Sequence, residues 1–288
     1  MKHFLILSAI TLVLFSSFKS DKPAYLLFSK NGKVVKYKKM LKQMEDADIV
    51  LFGELHDNPV SHWLQLELTK DLYKQYGQYL ILGAEMFESD NQVIMDEYLS
   101  GKISNTSFED EIRLWPNYKT DYKPLVEFAK DNGLYFVATN VPRRYASLVN
   151  SHGFKELDEL SDGAKAFLPP LPVAYDSTLN CYASMMNMQG MEGHGSSNLP
   201  KAQAIKDATM AHFILENWEP GKVLLHYNGA YHSQNFESIY WYLKQENPDL
   251  KIVTIHSTLQ KDVSELKEEN TGQADFTICV DEDMTRTR

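Results

Sequence analysis

The sequence predicts an α/β fold, with a mostly parallel β-sheet flanked by helices on both faces and a helical insertion before the fourth strand. Three observations predict it. Short apolar runs alternate along the chain with longer amphipathic stretches. The runs are continuously apolar, which is typical of strands covered on both faces. A chain of 288 residues with 43% hydrophobic residues can bury one large core.

The strands are predicted from six apolar runs, each bounded by polar or glycine residues. Five runs form the body of the sheet, and a sixth adds an edge strand: 48–53, 79–86, 134–140, 222–229, 251–257 and 275–280. Between the first two runs, Asn58 is expected to cap a helix that Pro59 begins. The buried face of this helix is predicted to be Trp63, Leu64, Leu68 and Leu72. Leu125, Phe128 and Ala129 are predicted to line a second helix.

The N-terminal residues, 1–20, read as a signal peptide, followed by a single domain at 21–288. Lys2 and His3 precede the stretch FLILSAITLVLF, which is too short to span a bilayer and is followed by small and polar residues. Export to the periplasm or the cell exterior is therefore expected. The first cysteine is Cys181, so no lipid-accepting cysteine follows the apolar stretch. In an oxidising compartment Cys181 and Cys279 can pair, or each can be buried separately as a thiol.

The net charge of −10 bears on the partners. Nucleic acid and anionic membrane surfaces bind basic faces, so both are excluded as partners, and a cation or a mostly apolar ligand is favoured. No transmembrane segment is expected in the mature chain.

Residues 161–218 are predicted to be the helical insertion. They contain three prolines, a Met-rich and Gly-rich stretch, and the strongly helical stretch KAQAIKDATMAHFILENW. Met and aromatic side chains adapt well to flat apolar ligands. The alternative is that they fill a helical core.

Polar side chains follow the predicted strands. In an open α/β sheet, ligands bind outside the carboxyl ends of the strands, so such residues are expected to meet there. The set comprises Glu54, His56, Asp57, Glu85, Asn140, Arg143, Asn228, His232, His256 and Ser257.

Two matching tetrapeptides, GELH at 53–56 and GAYH at 229–232, add weight to this set. In each, a glycine is expected to let the strand turn without a Cβ clash, so that His56 and His232 face one another with Glu54 and Glu85 between them. Such a cluster can hold a divalent metal ion or act as a general acid and base. Neither HExxH nor a paired CxxC supports the metal alternative.

Five segments in order resemble the ChaN-type haem-binding uptake proteins of the wider Tiki, TraB and erythromycin-esterase superfamily. The segments are GELHDNPVSHWLQLEL at 53–68, GAEMF at 83–87, TNVPRRY at 139–145, AQAIKDATMAHFI at 202–214 and HYNGAYHSQNF at 226–236. The resemblance implies that its two G-x-x-H motifs and intervening glutamate are Gly53, His56, Gly229, His232 and Glu85. Members are surface or periplasmic lipoproteins of iron uptake, or metal-dependent hydrolases and peptidases. This chain departs from the lipoprotein pattern because it lacks the acceptor cysteine.

Two functions follow from the residues and the resemblance. The first is a haem-binding protein of iron or haem acquisition. The second is a hydrolase of the esterase or peptidase type that uses Glu54, His56, Glu85 and His232, with or without a divalent metal ion. A hydrolase needs only the strand-end cluster, whereas haem needs an apolar face and an axial ligand. The insertion offers Tyr175, Tyr182, Met185, Met186, Met188, Met191 and His194.

Haem is predicted to bind through this insertion. The candidate iron ligands are Tyr175, Tyr182 and His194, and Arg143 is the candidate partner for a propionate because it is nearer the strand end than Arg144. A second copy covering the open face of the haem would make a homodimer on haem binding. His62 and His212 are interpreted as packing residues outside the site.

Overall fold

The structure is a computed structural model that describes residues 22–192 and 197–287, and for 187–192 it describes the backbone alone. The signal peptide predicted at 1–20 and the candidate ligand His194 lie outside the described residues. So do the side chains of Met188 and Met191.

The described chain forms one mixed, mostly parallel sheet. Its strands are β1 (Tyr25–Ser29), β2 (Ile49–Glu54), β3 (Leu80–Glu88), β4 (Phe136–Asn140), β5 (Val223–Gly229), β6 (Ile252–Gln260) and β7 (Phe276–Asp281). The spatial order is β1-β7-β6-β2-β5-β3-β4. Only β1 runs antiparallel to its neighbour, β7. All six predicted runs form strands, but β7 is not an edge, because β1, which the sequence analysis did not identify, covers it.

Helices cover both faces of this sheet. They are α1 (Tyr37–Gln43), α2 (Pro59–Tyr76), α3 (Gln92–Leu99), α4 (Asn105–Glu111), α5 (Lys123–Asn132), α6 (Arg143–His152), α7 (Asp162–Lys165), α8 (Asn180–Glu192), α9 (Leu199–Asn217) and α10 (Ile239–Glu246). A π-helical turn, Tyr118–Tyr122, precedes α5. Within the ranges that the structure covers, none of the helices is long and apolar enough to cross a membrane.

The continuous apolar runs are explained by two separate cores. In β2, Val50 and Phe52 enter the larger core, which includes α2, α3 and α5, whereas Ile49 and Leu51 enter a second core under α9 and α10. Because successive side chains of a strand point to opposite faces, a strand between two cores must be apolar at every position. The prediction of an α/β fold is confirmed for this reason.

The first long helix, α2, begins as predicted. The Asn58 side chain accepts a hydrogen bond from the Ser61 N–H at 3.0 Å, and Pro59 occupies the first turn. Leu64, Leu68 and Leu72 are buried, but Trp63 is 50% exposed and contacts Tyr25 edge-on. The prediction for Trp63 is wrong because adjacent helical residues point about 100° apart.

The insertion at 161–218 is helical, and its last helix belongs to the second face of the sheet. α9 packs against β4, α6 and α10. Ala208 and Ile214 are buried in the second core. α8 in turn packs against α9, with Cys181 and Tyr182 beside Ala204.

The strand order decides where a site can form. The chain passes from β2 through α2 to β3, and β5 later inserts between these two strands. From β5 the chain returns through α10 to β6, on the other side of β2. Such a reversal of direction opens a crevice at the carboxyl ends of the strands.

Candidate functional site

A cavity of about 920 Å³ opens at the carboxyl ends of β2, β3, β4 and β5. The structure places five of the predicted site residues in its wall: Glu54, His56, Glu85, Arg143 and His232. They come from four separate segments of the chain. Strand pairing brings these segments together, since Glu54 of β2 is in register with Gly229 of β5, and β3 pairs with the other side of β5. Asp57 and Asn140 also line this cavity.

His56 is held by a buried carboxylate. Its Nδ1 lies 2.9 Å from Oε1 of Glu54, which is 1% exposed and also accepts a hydrogen bond from the Tyr122 hydroxyl at 2.6 Å. Gln65 donates to the second oxygen of Glu54. Trp115 contacts the imidazole edge-on, with ring centroids 4.9 Å apart. These contacts fix the orientation of the ring towards the cavity.

Nearby carboxylates also favour the protonated form of the His56 imidazole. Burial lowers the pKa of His56, but the hydrogen bond to Glu54 and the charge of Glu85 outweigh it, so the pKa lies above its ordinary value. The side chain is 33% exposed, and no described residue forms a hydrogen bond with Nε2. His56 can therefore exchange a proton with, or donate a lone pair to, a molecule in the cavity.

His232 lies between two buried carboxylates. Nδ1 is 2.5 Å from Asp207 and Nε2 is 3.1 Å from Glu85. Burial opposes the charged ring, but the two carboxylates raise the pKa of His232 to about 10. Since both nitrogens are engaged, His232 cannot ligate iron or a metal ion without breaking an ion pair.

The pKa values of the two carboxylates around His232 are shifted in opposite directions. Burial raises the pKa of both, but in Glu85 the charges of His232 and His56 and the Gly229 N–H, which donates at 2.7 Å, hold it well below its usual range. In Asp207 burial prevails, and the pKa is raised. Glu85 therefore stays ionised beside the cavity.

The glycines of the two tetrapeptides are required by close packing rather than by a turn. Neither Gly53 nor Gly229 has a positive φ. A Cβ on Gly229 would lie 2.7 Å from the His56 ring, and one on Gly53 would lie 2.8 Å from the carbonyl oxygen of Ile255. The predicted pairing of the motifs is therefore direct, since the glycine of GAYH provides the space that the histidine of GELH occupies.

The other residues considered for the site lie either at the cavity or in the protein interior. Arg144 pairs with Asp90 at 2.5 Å, whereas Arg143 is exposed in the cavity wall. His256 does not end its strand, because β6 continues to Gln260. It is buried, and desolvation lowers the pKa of His256 to about 4, so it is neutral.

The remaining polar residues of the predicted set, and the two histidines assigned to packing, lie as follows. Asn228 and Ser257 are buried, and Ser257 contacts Ser61 at 3.0 Å. His62 is buried and engaged with Gln65 and the carbonyl of His56. His212 lies outside the cavity wall, against Phe213.

The insertion contributes less to the cavity wall than the strand ends do. Met185 lines it, and Met186 is 46% exposed. Tyr175 is half-buried against Phe154 and Tyr182. Tyr182 is fully buried, and its hydroxyl donates to Asp207 at 2.8 Å. The structure thus places Tyr182 in support of the His232 network.

The cysteines are both free and buried. Cys181 packs near Tyr182, and Cys279 packs near Phe28, in different clusters. Of the two alternatives, the structure shows the separately buried thiols.

Several site residues were not identified from the sequence. Asp207, Gln203 and Lys206 come from α9, and Trp115 and Tyr122 come from the segment between α4 and α5. The spacing of Gln203 and Asp207, four residues apart on one helix, was the available signal. Trp115 and Tyr122 carry no such signal, because only long-range packing brings Trp115 to His56 and Tyr122 to Glu54.

The metal hypothesis requires a group of three or more His, Cys, Asp or Glu side chains arranged to hold an ion. No such group occurs within 22–192 and 197–287. The divalent metal ion therefore has no support in this part of the chain.

The chain belongs to the ChaN haem-binding uptake proteins of the Tiki superfamily, whose family model matches residues 40–243. Its fold is similar to that of ChaN of Campylobacter jejuni, whose structure is described as cofacial haem binding. The TM-score is 0.66 and the identity 18%, over 88% of this chain and 96% of that one.

Two further proteins are similar to this chain. RETICULATA-RELATED 5, a chloroplastic protein of Arabidopsis thaliana, is 25% identical over 192 residues, 62% of this chain and 26% of that protein. The chain thus spans about a quarter of the length of this curated relative. The erythromycin esterase EreC mutant H289N in its open conformation is 12% identical, with a TM-score of 0.46, over 88% of this chain and 83% of that one.

Proposed function

We propose that this protein binds haem in the cavity at the carboxyl ends of the strands and serves in iron or haem acquisition. Membership of a haem-binding uptake family supports the proposal, as does the similarity in fold to a protein described as binding haem cofacially. The observation that carries it is the cavity itself, whose volume of about 920 Å³ lies in the range of pockets for small molecules and cofactors.

The lining of the cavity fits a porphyrin. An apolar wall is formed by Leu114, Trp115, Val141, Ala146 and Met185. The carboxylates that line the cavity are all paired: Glu54 and Glu85 accept hydrogen bonds, and Asp57 and Glu88 lie beside Arg286 and Arg113. A flat apolar ligand therefore meets apolar side chains without stripping water from an unpaired carboxylate.

The iron ligand remains a proposal. Of the three residues proposed from the insertion, Tyr182 is committed to Asp207, and Tyr175 is half-buried. His194 is outside the described residues. His56 is the competing ligand, because its Nε2 is free of hydrogen bonds to described residues and its ring lines the cavity.

Titration of the purified protein with haemin tests the function and the ligand together. A saturable Soret shift is expected, and it should weaken in Tyr175→Ala or His194→Ala if the insertion supplies the ligand. His152→Ala, at an exposed histidine of α6, is the matched control. Loss of the shift in His56→Ala alone would assign the iron to the cluster. Absence of any saturable shift would contradict haem binding.

Under this proposal, the predicted signal peptide exports the protein, and a second copy covers the open face of the haem. Size-exclusion chromatography with and without haemin tests the homodimer, which should appear only with haemin. Cell fractionation tests the location. Recovery of the mature protein from the cytosol would contradict export.

A hydrolase is the second candidate, and the His56–Glu54 pair favours it. A partly exposed imidazole oriented by a buried carboxylate is the arrangement of a general base. Glu54→Gln should then abolish turnover of an ester, amide or phosphoester while the fold is retained, because the amide keeps the shape of the side chain. Flat rates for the wild type across such a screen, with and without divalent metal ions, would favour the binding function.

A further inference from the structure

Three cationic side chains line the cavity, and two of them have no anionic partner among the described residues. They are Arg113, Arg143 and Lys206. Arg113 lies 3.8 Å from Glu88. No carboxylate of the described residues lies within 4 Å of the charged groups of Arg143 or Lys206. The cavity therefore presents positive charge that the described protein itself does not neutralise.

This absence of partners contrasts with the acidic character of the chain. With 39 acidic against 29 basic residues, a half-buried lysine would ordinarily meet a carboxylate. The carboxylates that line the cavity are engaged elsewhere: Glu54 with His56 and Tyr122, Glu85 with His232, Glu88 with Arg113, and Asp57 with Arg286. Lys206, half-buried on α9, is left facing the cavity. Its partner is expected to be a ligand.

The positions of the two cations define one wall of the cavity. Arg143 is the first residue of α6, and Lys206 lies in the second turn of α9; these two helices pack against each other. The carboxylates of Glu54 in β2 and Glu85 in β3 line the same cavity. The acidic groups of a ligand are repelled by these carboxylates and attracted to Arg143 and Lys206, so the charges select one orientation of the ligand.

We propose that Lys206 and Arg143 form an anion subsite that binds the two carboxylate groups of the ligand, one cation to each. This inference rests on the proposed function, because haem is a flat apolar ring with two propionates on one edge. Arg143 can bind its carboxylate with two parallel hydrogen bonds, and Lys206 acts as a point charge. The site therefore discriminates between a free dicarboxylate and its ester.

The test compares haemin with haemin dimethyl ester, titrated by Soret absorbance in the same detergent-containing buffer. Wild-type protein should bind haemin at least about 10-fold more tightly than the ester. This ratio of affinities is the one expected for a charge-assisted hydrogen bond. In Lys206→Gln and Arg143→Gln, haemin affinity should fall about 10-fold each, with ester affinity unchanged. The unchanged ester affinity also shows that each variant is folded.

Lys155→Gln is the matched control, because it removes the same charge from an exposed position outside the cavity wall. It should leave both affinities unchanged. Equal binding of haemin and ester by the wild type, or full discrimination retained in both cavity variants, would overturn the subsite while leaving haem binding intact. No Soret shift with either porphyrin would overturn the proposed function and the subsite together.

Discussion

Replacing the glycine of each G-x-x-H motif by alanine should have different effects, although the motifs match in sequence. In Gly229→Ala the new Cβ lies 2.7 Å from Cε1 and Nε2 of His56. Contacting carbon atoms prefer separations of about 3.5–4.0 Å, so the ring must retreat by about 1 Å. The His56–Glu54 distance of 2.9 Å leaves little room for that before the hydrogen bond is lost.

The stability cost of Gly229→Ala follows from the contacts that His56 loses. A hydrogen bond to a charged group contributes about 1.5–3 kcal/mol. The His56 side chain is 33% exposed, so water replaces part of that bond. We expect a loss of about 1–2 kcal/mol in the free energy of unfolding.

Gly53→Ala should be more costly because its clash is with backbone. The new Cβ lies 2.8 Å from the carbonyl oxygen of Ile255 and 3.0 Å from Cα of Ala230, and neither atom can move without displacing β6 or the turn after β5. A loss of about 3 kcal/mol or more is expected. Gly163→Ala, in α7 with no atom within 4 Å of the new Cβ, is the control and should gain about 0.4–1 kcal/mol.

Urea denaturation followed by circular dichroism measures all three variants, and the His56 ring resonance in NMR spectra reports its displacement. Gly229→Ala should shift that resonance in a folded protein. If Gly229→Ala proved as destabilising as Gly53→Ala, or left the His56 resonance unchanged, the assignment of the two glycines to different contacts would be refuted.

Three further predictions concern the network around the site. Asp207→Asn should lower the free energy of unfolding by about 3–5 kcal/mol, because it removes a charge partner of the buried His232. His226 is buried and neutral, with its pKa lowered to about 4 by desolvation, so its contribution is present above its unfolded pKa of about 6.5 and is lost as pH falls through 4. This costs about 3 kcal/mol between pH 7 and pH 4. Truncation after Thr285 removes the backbone hydrogen bond of 3.0 Å from the Thr287 N–H to the carbonyl of Asp57 and should speed hydrogen exchange in the loop after β2, with little change in global stability.

Each of these has a contrary outcome. Wild-type stability in urea for Asp207→Asn would show that the ion pair contributes nothing. An acid dependence of stability that is the same in His226→Gln as in the wild type would exclude His226 as its source. Unchanged exchange in the loop after β2 would show that the C-terminal contacts are incidental.

The sequence alone determined the six predicted strands and the residues near their carboxyl ends that line the site. Apolar runs at each strand predicted burial on both faces, because a strand between two helical layers has no polar side. Glu54, His56, Glu85 and His232 were predicted to share a crevice because parallel strands end at the same edge. The Asn58–Pro59 signal was sufficient for the start of α2, since capping depends on a few adjacent residues.

Other features were decided only by the tertiary structure. β1 was not predicted because its antiparallel pairing with β7 joins opposite ends of the chain. Helix packing brings Asp207 to His232 and Tyr122 to Glu54, and the sequence neighbours of Asp207 and Tyr122 do not differ from those of ordinary helical residues. The glycine of GAYH and the histidine of GELH contact each other over a long separation in the chain. Local sequence specifies propensity and burial, whereas contacts between distant segments depend on the order in which strands join the sheet.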